Sequence, residues 1–164
     1  MTEIHVPDDL SGLDDERPTV ALVITPVASA APLAAACSLA KVDADVVPSD
    51  VGAIAVLRDP VSGRAGAAAV SQLLRQVPVV LLERRESQMT ATQWVSGVHD
   101  RDLPPGLVLS DAPEVLEDLL LDGRDPSTVD GVVTSVGMSK LKAMRVLAAH
   151  RPRRWARRSA RPVA

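Results

Sequence analysis

Residues 44–57 read Ala44-Asp45-Val46-Val47-Pro48-Ser49-Asp50-Val51-Gly52-Ala53-Ile54-Ala55-Val56-Leu57. Two apolar runs stand about five residues apart, and the gap, with its Pro, Ser, Asp and Gly, has the chemistry of a turn. A crossover between parallel strands needs about ten residues or more. The two runs are therefore expected to pair as an antiparallel hairpin, and the rest of the chain must be arranged around it.

Working outward, Val20-Ala21-Leu22-Val23-Ile24 is a continuous apolar run of the kind a central strand shows when both of its faces are covered. Ser29 can cap a helix with Pro32 in its first turn, reaching about Lys41 and burying Leu33, Ala36, Cys37 and Ala40. Beyond the hairpin, Val70, Leu73, Leu74 and Val77 recur at one-face helical spacing within 63–76, and Val79-Val80-Leu81-Leu82 follows as a strand. The order strand, helix, strand, strand, helix, strand predicts an α/β domain of the α+β kind. Its expected form is a ferredoxin-like split βαβ sandwich with both helices on one face. The alternative is a receiver-like doubly wound sheet in which 44–47 is an ordinary parallel strand.

Glu83-Arg84-Arg85-Glu86 reads as a charged turn into a fifth strand over 90–95, and Leu107-Val108-Leu109 is a further strand candidate. Two C-terminal helices complete the expected domain. The first opens with Asp111 and Glu114 as a capping pair, buries Val115, Leu116, Leu119 and Leu120, and stops at Gly123. The second, about Ser139 to His150, gathers Leu141, Met144, Leu147 and Ala148 on one face and leaves Lys142 and Arg145 outside. Pro152 ends it. The division is an acidic flexible arm at 1–18, a single domain at 19–150 and an Arg-rich flexible arm at 151–164.

Charge is unevenly distributed. Residues 1–16 hold six acids and no Lys or Arg, whereas the last fourteen residues hold Arg151, Arg153, Arg154, Arg157, Arg158 and Arg161, with Trp155 among them, and no acid. The formal net charge of −3 and the pI near 5.6 conceal this basic arm. Phe and Tyr are absent, so there is no aromatic platform on which bases could stack, and RRM-like or OB-like single-strand binding is disfavoured. The usage of Ala, Val, Arg and Asp, with three Lys, suits a GC-rich bacterial genome. A single cysteine, Cys37, excludes an intrachain disulfide and a CxxC zinc site and fits a reducing cytoplasm. The charge-free stretch 18–40 is long enough to cross a bilayer, but Pro26, Pro32 and its small residues favour a strand followed by a helix, so no membrane contact is expected.

Candidate chemistry is sparse. Arg58, Ser62, Gly63 and Arg64 leave a strand and enter a helix, where backbone N–H groups could hold a phosphorylated ligand, although the spacing is neither Walker A nor GxGxxG. His99-Asp100-Arg101-Asp102 reads as a solvated loop, and Cys37 as a packing residue. Residues 129–147 allow a helix-turn-helix with Gly137 at its turn. No catalytic constellation and no cofactor motif is found, which leans away from an enzyme. The expected function is a binding or regulatory domain that contacts nucleic acid or a nucleoprotein. Its contact residues would be Lys142, Arg145, Arg151, Arg153, Arg154, Trp155, Arg157, Arg158 and Arg161. The alternatives are an acidic protein partner, self-association into a homo-oligomer through the oppositely charged ends, and a sensor or enzyme for a phosphorylated ligand at 58–66.

Overall fold

The computed structural model describes residues 17–121 and 123–150. The arms expected at 1–18 and 151–164 therefore lie outside the described residues, apart from Arg17 and Pro18. In chain order the elements are β1 (Val20–Ile24), α1 (Ala30–Leu39), β2 (Ala44–Val47), β3 (Ile54–Leu57), α2 (Gly63–Leu74), β4 (Val79–Arg85), β5 (Gln88–Val95), β6 (Val98–Leu103), α3 (Pro105–Ser110), α4 (Glu114–Leu121), β7 (Val133–Thr134) and α5 (Lys140–Ala149). Short 3₁₀ turns occupy Pro60–Ser62 and Pro126–Thr128. The strands form one sheet in the order β6-β5-β4-β1-β3-β2-β7, and every neighbouring pair is antiparallel.

The hairpin that decides this architecture pairs Val47 with Ile54 and Ala44 with Leu57. Its turn depends on Gly52, whose φ of +134° is closed to ordinary L residues. With the hairpin in place, β3 returns beside β1, and the last run of the predicted βαββαβ order, β4, takes the other side of β1. The domain is α+β. The receiver-like alternative is excluded, because it needs parallel neighbours.

Strand alternation sends Ala21 and Val23 to one face of β1 and Leu22 to the other. On the first face lies a cluster that includes Leu33, Ala34 and Cys37 of α1, Ala67 and Val70 of α2, and Val46, Leu57 and Leu81 of the sheet. On the second, Leu22, Val47, Ile54 and Leu82 pack with Leu116, Leu119 and Leu120 of α4. Both faces are thus covered, where the expected sandwich had helices on one only. Each fully buried Leu or Ile contributes about 1.5–3 kcal/mol, and this aliphatic burial takes the place of the missing aromatic core.

Three other expectations are corrected. Residues 107–109 are helical, because Pro104-Pro105 opens α3 with a residue whose φ suits a first helical turn. His99–Asp102 belongs to β6, an edge strand exposed on both faces except at Leu103; with no buried face there is no apolar alternation to read, and charge on an edge discourages pairing with other chains. The charged run 83–86 is not all turn, since β4 continues through Arg85 and buries Glu83. The helix-turn-helix is overturned as well: its first helix would need 129–136, where the chain instead makes a turn and then pairs Val133 and Thr134 with β2.

Helix α5 lies against α1, which is why α1 is buried nearly all round instead of on one stripe. Ser135 anchors the approach to it. Its hydroxyl donates to the Val42 carbonyl at 2.7 Å and accepts from the Ala44 N–H at 2.9 Å, while the Ser38 hydroxyl donates to the Met138 carbonyl at 3.0 Å. Ser139 caps α5 by accepting from the Lys142 N–H. The face that α5 buries differs from the expected one. Ala143 is fully buried and Val146 and Leu147 partly so, whereas Leu141 and Met144 are 60% and 54% exposed. The small side chains of α1 admit a close helix contact, and Ala143 is the residue that fits it.

Candidate functional site

The four residues proposed to hold a phosphorylated ligand do not converge. Arg58 leaves β3 on the face that Asp45 shares with Val47, and its Nε and Nη2 donate to the Asp45 carboxylate at 3.2 and 3.0 Å. This hydrogen-bonded pairing holds the Arg58 guanidinium above its already high ordinary pKa, helped by the charge of Asp45 and, more weakly, by Asp43 and Asp125. Ser62, Gly63 and Arg64 stand at the start of α2, which packs on the opposite face. There the Asp59 carboxylate accepts the Val61 N–H at 3.2 Å, and the Ser62 hydroxyl donates to the Asp59 carbonyl at 2.8 Å. The chain's own carboxylate thus caps the turn that a phosphate would need. Gly63 serves packing: a Cβ there would stand 3.1 Å from Oε1 of Glu83 and 3.3 Å from the Ala21 Cβ.

Arg64 borders a pocket of about 260 Å³ that includes Thr90, Thr92 and Asp102. Nearby, Glu83 is only 3% exposed, and its closest cation is Arg85, with Nη2 4.0 Å from Oε2. His99 and Asp102 meet at 2.9 Å on exposed β6, and the His99 ring lies edge-on to Trp94 at 5.5 Å. Sequence reasoning missed this polar strip because its members come from four elements; only the strand alternation of β5 and β6 could have hinted that Thr90, Thr92 and Asp102 share a face. A second pocket, about 310 Å³, separates the end of α1 from α2 and is bordered by Lys41, Asp43, Asp59 and Ser62. Among the described residues no group of three or more His, Cys, Asp or Glu is placed to hold a metal. No helix among them is long and apolar enough to cross a membrane.

Cys37 is fully buried in α1, and burial pushes its thiol pKa up to about 12. Because the folded chain resists forming the thiolate while the unfolded chain ionises near pH 8.5, this group leaves stability unchanged below that pH and lowers it progressively as pH rises toward 12. In native buffer at pH 8 the thiol is expected to react with an aromatic disulfide reagent at least about a hundredfold more slowly than in denaturant. Equal rates in the two solvents would show that Cys37 is accessible.

The basic residues divide by use. Arg58 is paired with Asp45, Arg85 with Glu83 and Arg124 with Asp118, and Arg84 donates to the Leu120 and Leu121 carbonyls at the end of α4, where a cation also suits the helix dipole. Lys41, Arg64, Arg75 and Arg101 are exposed and make no ion pair with a described residue, and the same holds for Lys140, Lys142 and Arg145, which are gathered on α5. Lys142 and Arg145, three residues apart, share one face of the helix. Leu141 and Met144 border them, so the outer surface of α5 is cationic along one strip and apolar along the next. After Asp130 the chain holds nine basic residues and no acid to its end. The proposed contact residues from Arg151 to Arg161 lie outside the described residues. No family model, curated protein or solved structure matches the chain.

Proposed function

We propose that the protein is a binding module of regulatory type that contacts nucleic acid, alone or within a nucleoprotein, through α5 and the arginines that follow it. The observation that supports this reading is the unpaired strip Lys142 and Arg145 on a helix tied firmly to the body, placed directly before six further arginines. Lys41, Arg64, Arg75 and Arg101 are likewise exposed without an ion pair to a described residue, but they are scattered singly, whereas Lys142 and Arg145 share one helix face that leads into the arginine run. Residues 17–130 hold nine bases and fifteen acids, so the rest of the body repels a polyanion and orients it toward α5. Without aromatic platforms, binding of this kind is dominated by phosphate contacts and carries little sequence preference.

The test is anisotropy titration of a labelled 20-nucleotide RNA and a 20-base-pair DNA across a salt series. Six arginine contacts give a log–log salt slope of roughly −4 to −5. Removal of 151–164 is expected to flatten that slope, and Lys142→Glu with Arg145→Glu is expected to weaken what remains by about tenfold. Binding that is unchanged at low salt after the arm is removed and both helix cations are reversed overturns the reading.

A further inference from the structure

Nothing among the described residues covers the outer surface of α5, where Leu141 and Met144 are more than half exposed beside two unpaired cations. We propose that this surface is the docking site of the chain's own residues 1–16, which compete there with nucleic acid; the competition rests on the reading above, and the docking does not.

The segment matches the surface in both kinds of chemistry. It carries Glu3, Asp8, Asp9, Asp14, Asp15 and Glu16 with no Lys or Arg, and between them Ile4, Val6, Leu10 and Leu13. The acids answer Lys142 and Arg145, and the aliphatic side chains answer Leu141 and Met144. The chain's other concentrated acid, on α4 at Glu114, Glu117 and Asp118, packs against the opposite face of the sheet and has no path to α5.

Topology places the segment within reach. It enters the fold at Arg17, and β1 begins at Val20 opposite Arg84. The registers of β1 with β3 and of β3 with β2 put that end of β1 at the same end of the sheet as Ala44. Ser135 is bonded to Ala44 there, and α5 starts five residues later. Sixteen residues span at most about 50–60 Å when extended, against about 15 Å for the ten residues of α5. Exposed ion pairs are each worth little, so docking depends on the apolar contact and on the high effective concentration of a tethered segment, and salt weakens it. The expected consequence is a severalfold modulation of affinity, not a complete block.

The experiment reads docking without nucleic acid. Ala148 is exposed on the same strip as Leu141 and Met144, and an environment-sensitive dye attached through Ala148→Cys reports on it while buried Cys37 stays silent. In the full-length chain at low salt the dye emission is expected to be blue-shifted relative to a chain lacking 1–16, with the difference lost by about 1 M salt. Leu141→Ser with Met144→Ser is expected to abolish the shift although it leaves every charge in place. Identical emission with and without 1–16 overturns the docking, whatever the oligonucleotide titrations give. Emission that depends on protein concentration assigns the occupant to a second copy and overturns the intramolecular form. A dye response from a chain that binds no oligonucleotide leaves the docking standing and removes the nucleic-acid reading instead. Where both hold, deleting 1–16 tightens oligonucleotide binding by about three- to thirtyfold at low salt. An unchanged affinity there overturns the competition.

Discussion

Replacing Gly52 with alanine is expected to destabilise the domain by about 2–6 kcal/mol, against a total that for a domain of this size is about 5–15 kcal/mol. Two costs add. The φ of +134° lies in a region that L side chains rarely enter, a strain of about 1–3 kcal/mol. The new Cβ would also stand 2.0 Å from the Thr25 carbonyl oxygen, so the backbone on one side must give way, at about 1–3 kcal/mol. Neither neighbour can move cheaply. The Thr25 N–H donates to the Ala53 carbonyl at 3.2 Å and its hydroxyl donates to the same oxygen at 2.9 Å, while the Ala53 N–H donates to Val27 at 2.7 Å. The turn that sets the topology is thus laced to the loop between β1 and α1. Urea unfolding of Gly52→Ala beside the parent measures the effect, and a loss below about 1 kcal/mol would show that the turn relaxes freely.

Leu22→Ala is expected to cost about 2–5 kcal/mol, whereas Leu141→Ala should stay within about 0.5 kcal/mol of the parent. Leu22 is fully buried at the middle of β1, among Ile54, Leu82, Leu116 and Leu120. Truncation leaves a cavity in a core whose members are all aliphatic, with no large ring that could swing in to fill it. Leu141 looks equally apolar in the sequence, and its helical spacing with Met144 and Ala148 is that of a buried face. The structure leaves it more than half exposed, so little transfer energy is lost. Chemical denaturation of the pair separates the core position on β1 from the outer face of α5, because comparable losses would mean that Leu141 is built into the core.

That contrast marks how far the candidate site could be read without coordinates. Helical spacing puts Lys142 and Arg145 on the outer face of the last helix, and they are exposed there. The same spacing points the neighbouring apolar strip toward the core, because periodicity reports that a face is apolar and is silent on which of two apolar faces meets the protein. Ala143 decides the matter by size, since the Ala-rich surface of α1 accepts a methyl at close approach. Arg58 shows the same limit in another form. It is six residues from Arg64, yet strand alternation carries it to Asp45 on the opposite face, and no linear motif registers that separation. Edge strand β6 escaped notice for a related reason: exposed on both faces, it has no pattern of burial to betray it.

Local and short-range relations are legible in the chain without coordinates. The five residues between Val47 and Ala53 were too few for a crossover, Gly52 and Pro48 favoured a turn, and the apolar period of α4 matched its buried face, whereas α2 buries Gly66, Ala67, Val70 and Ser71 and leaves Leu73, expected inside, 45% exposed. The segregation of charge also belongs wholly to the sequence, because charge is counted without coordinates. Contacts across long separations are settled by packing in three dimensions. That packing placed α4 on the second face of the sheet, bound Ser135 to Val42 and Ala44, and turned Ala143 toward α1 while leaving Leu141 and Met144 to the outside. The physical reason is that hydrophobic burial is non-directional: composition makes many apolar surfaces able to pack, and shape complementarity with hydrogen bonding of buried backbone groups selects among them.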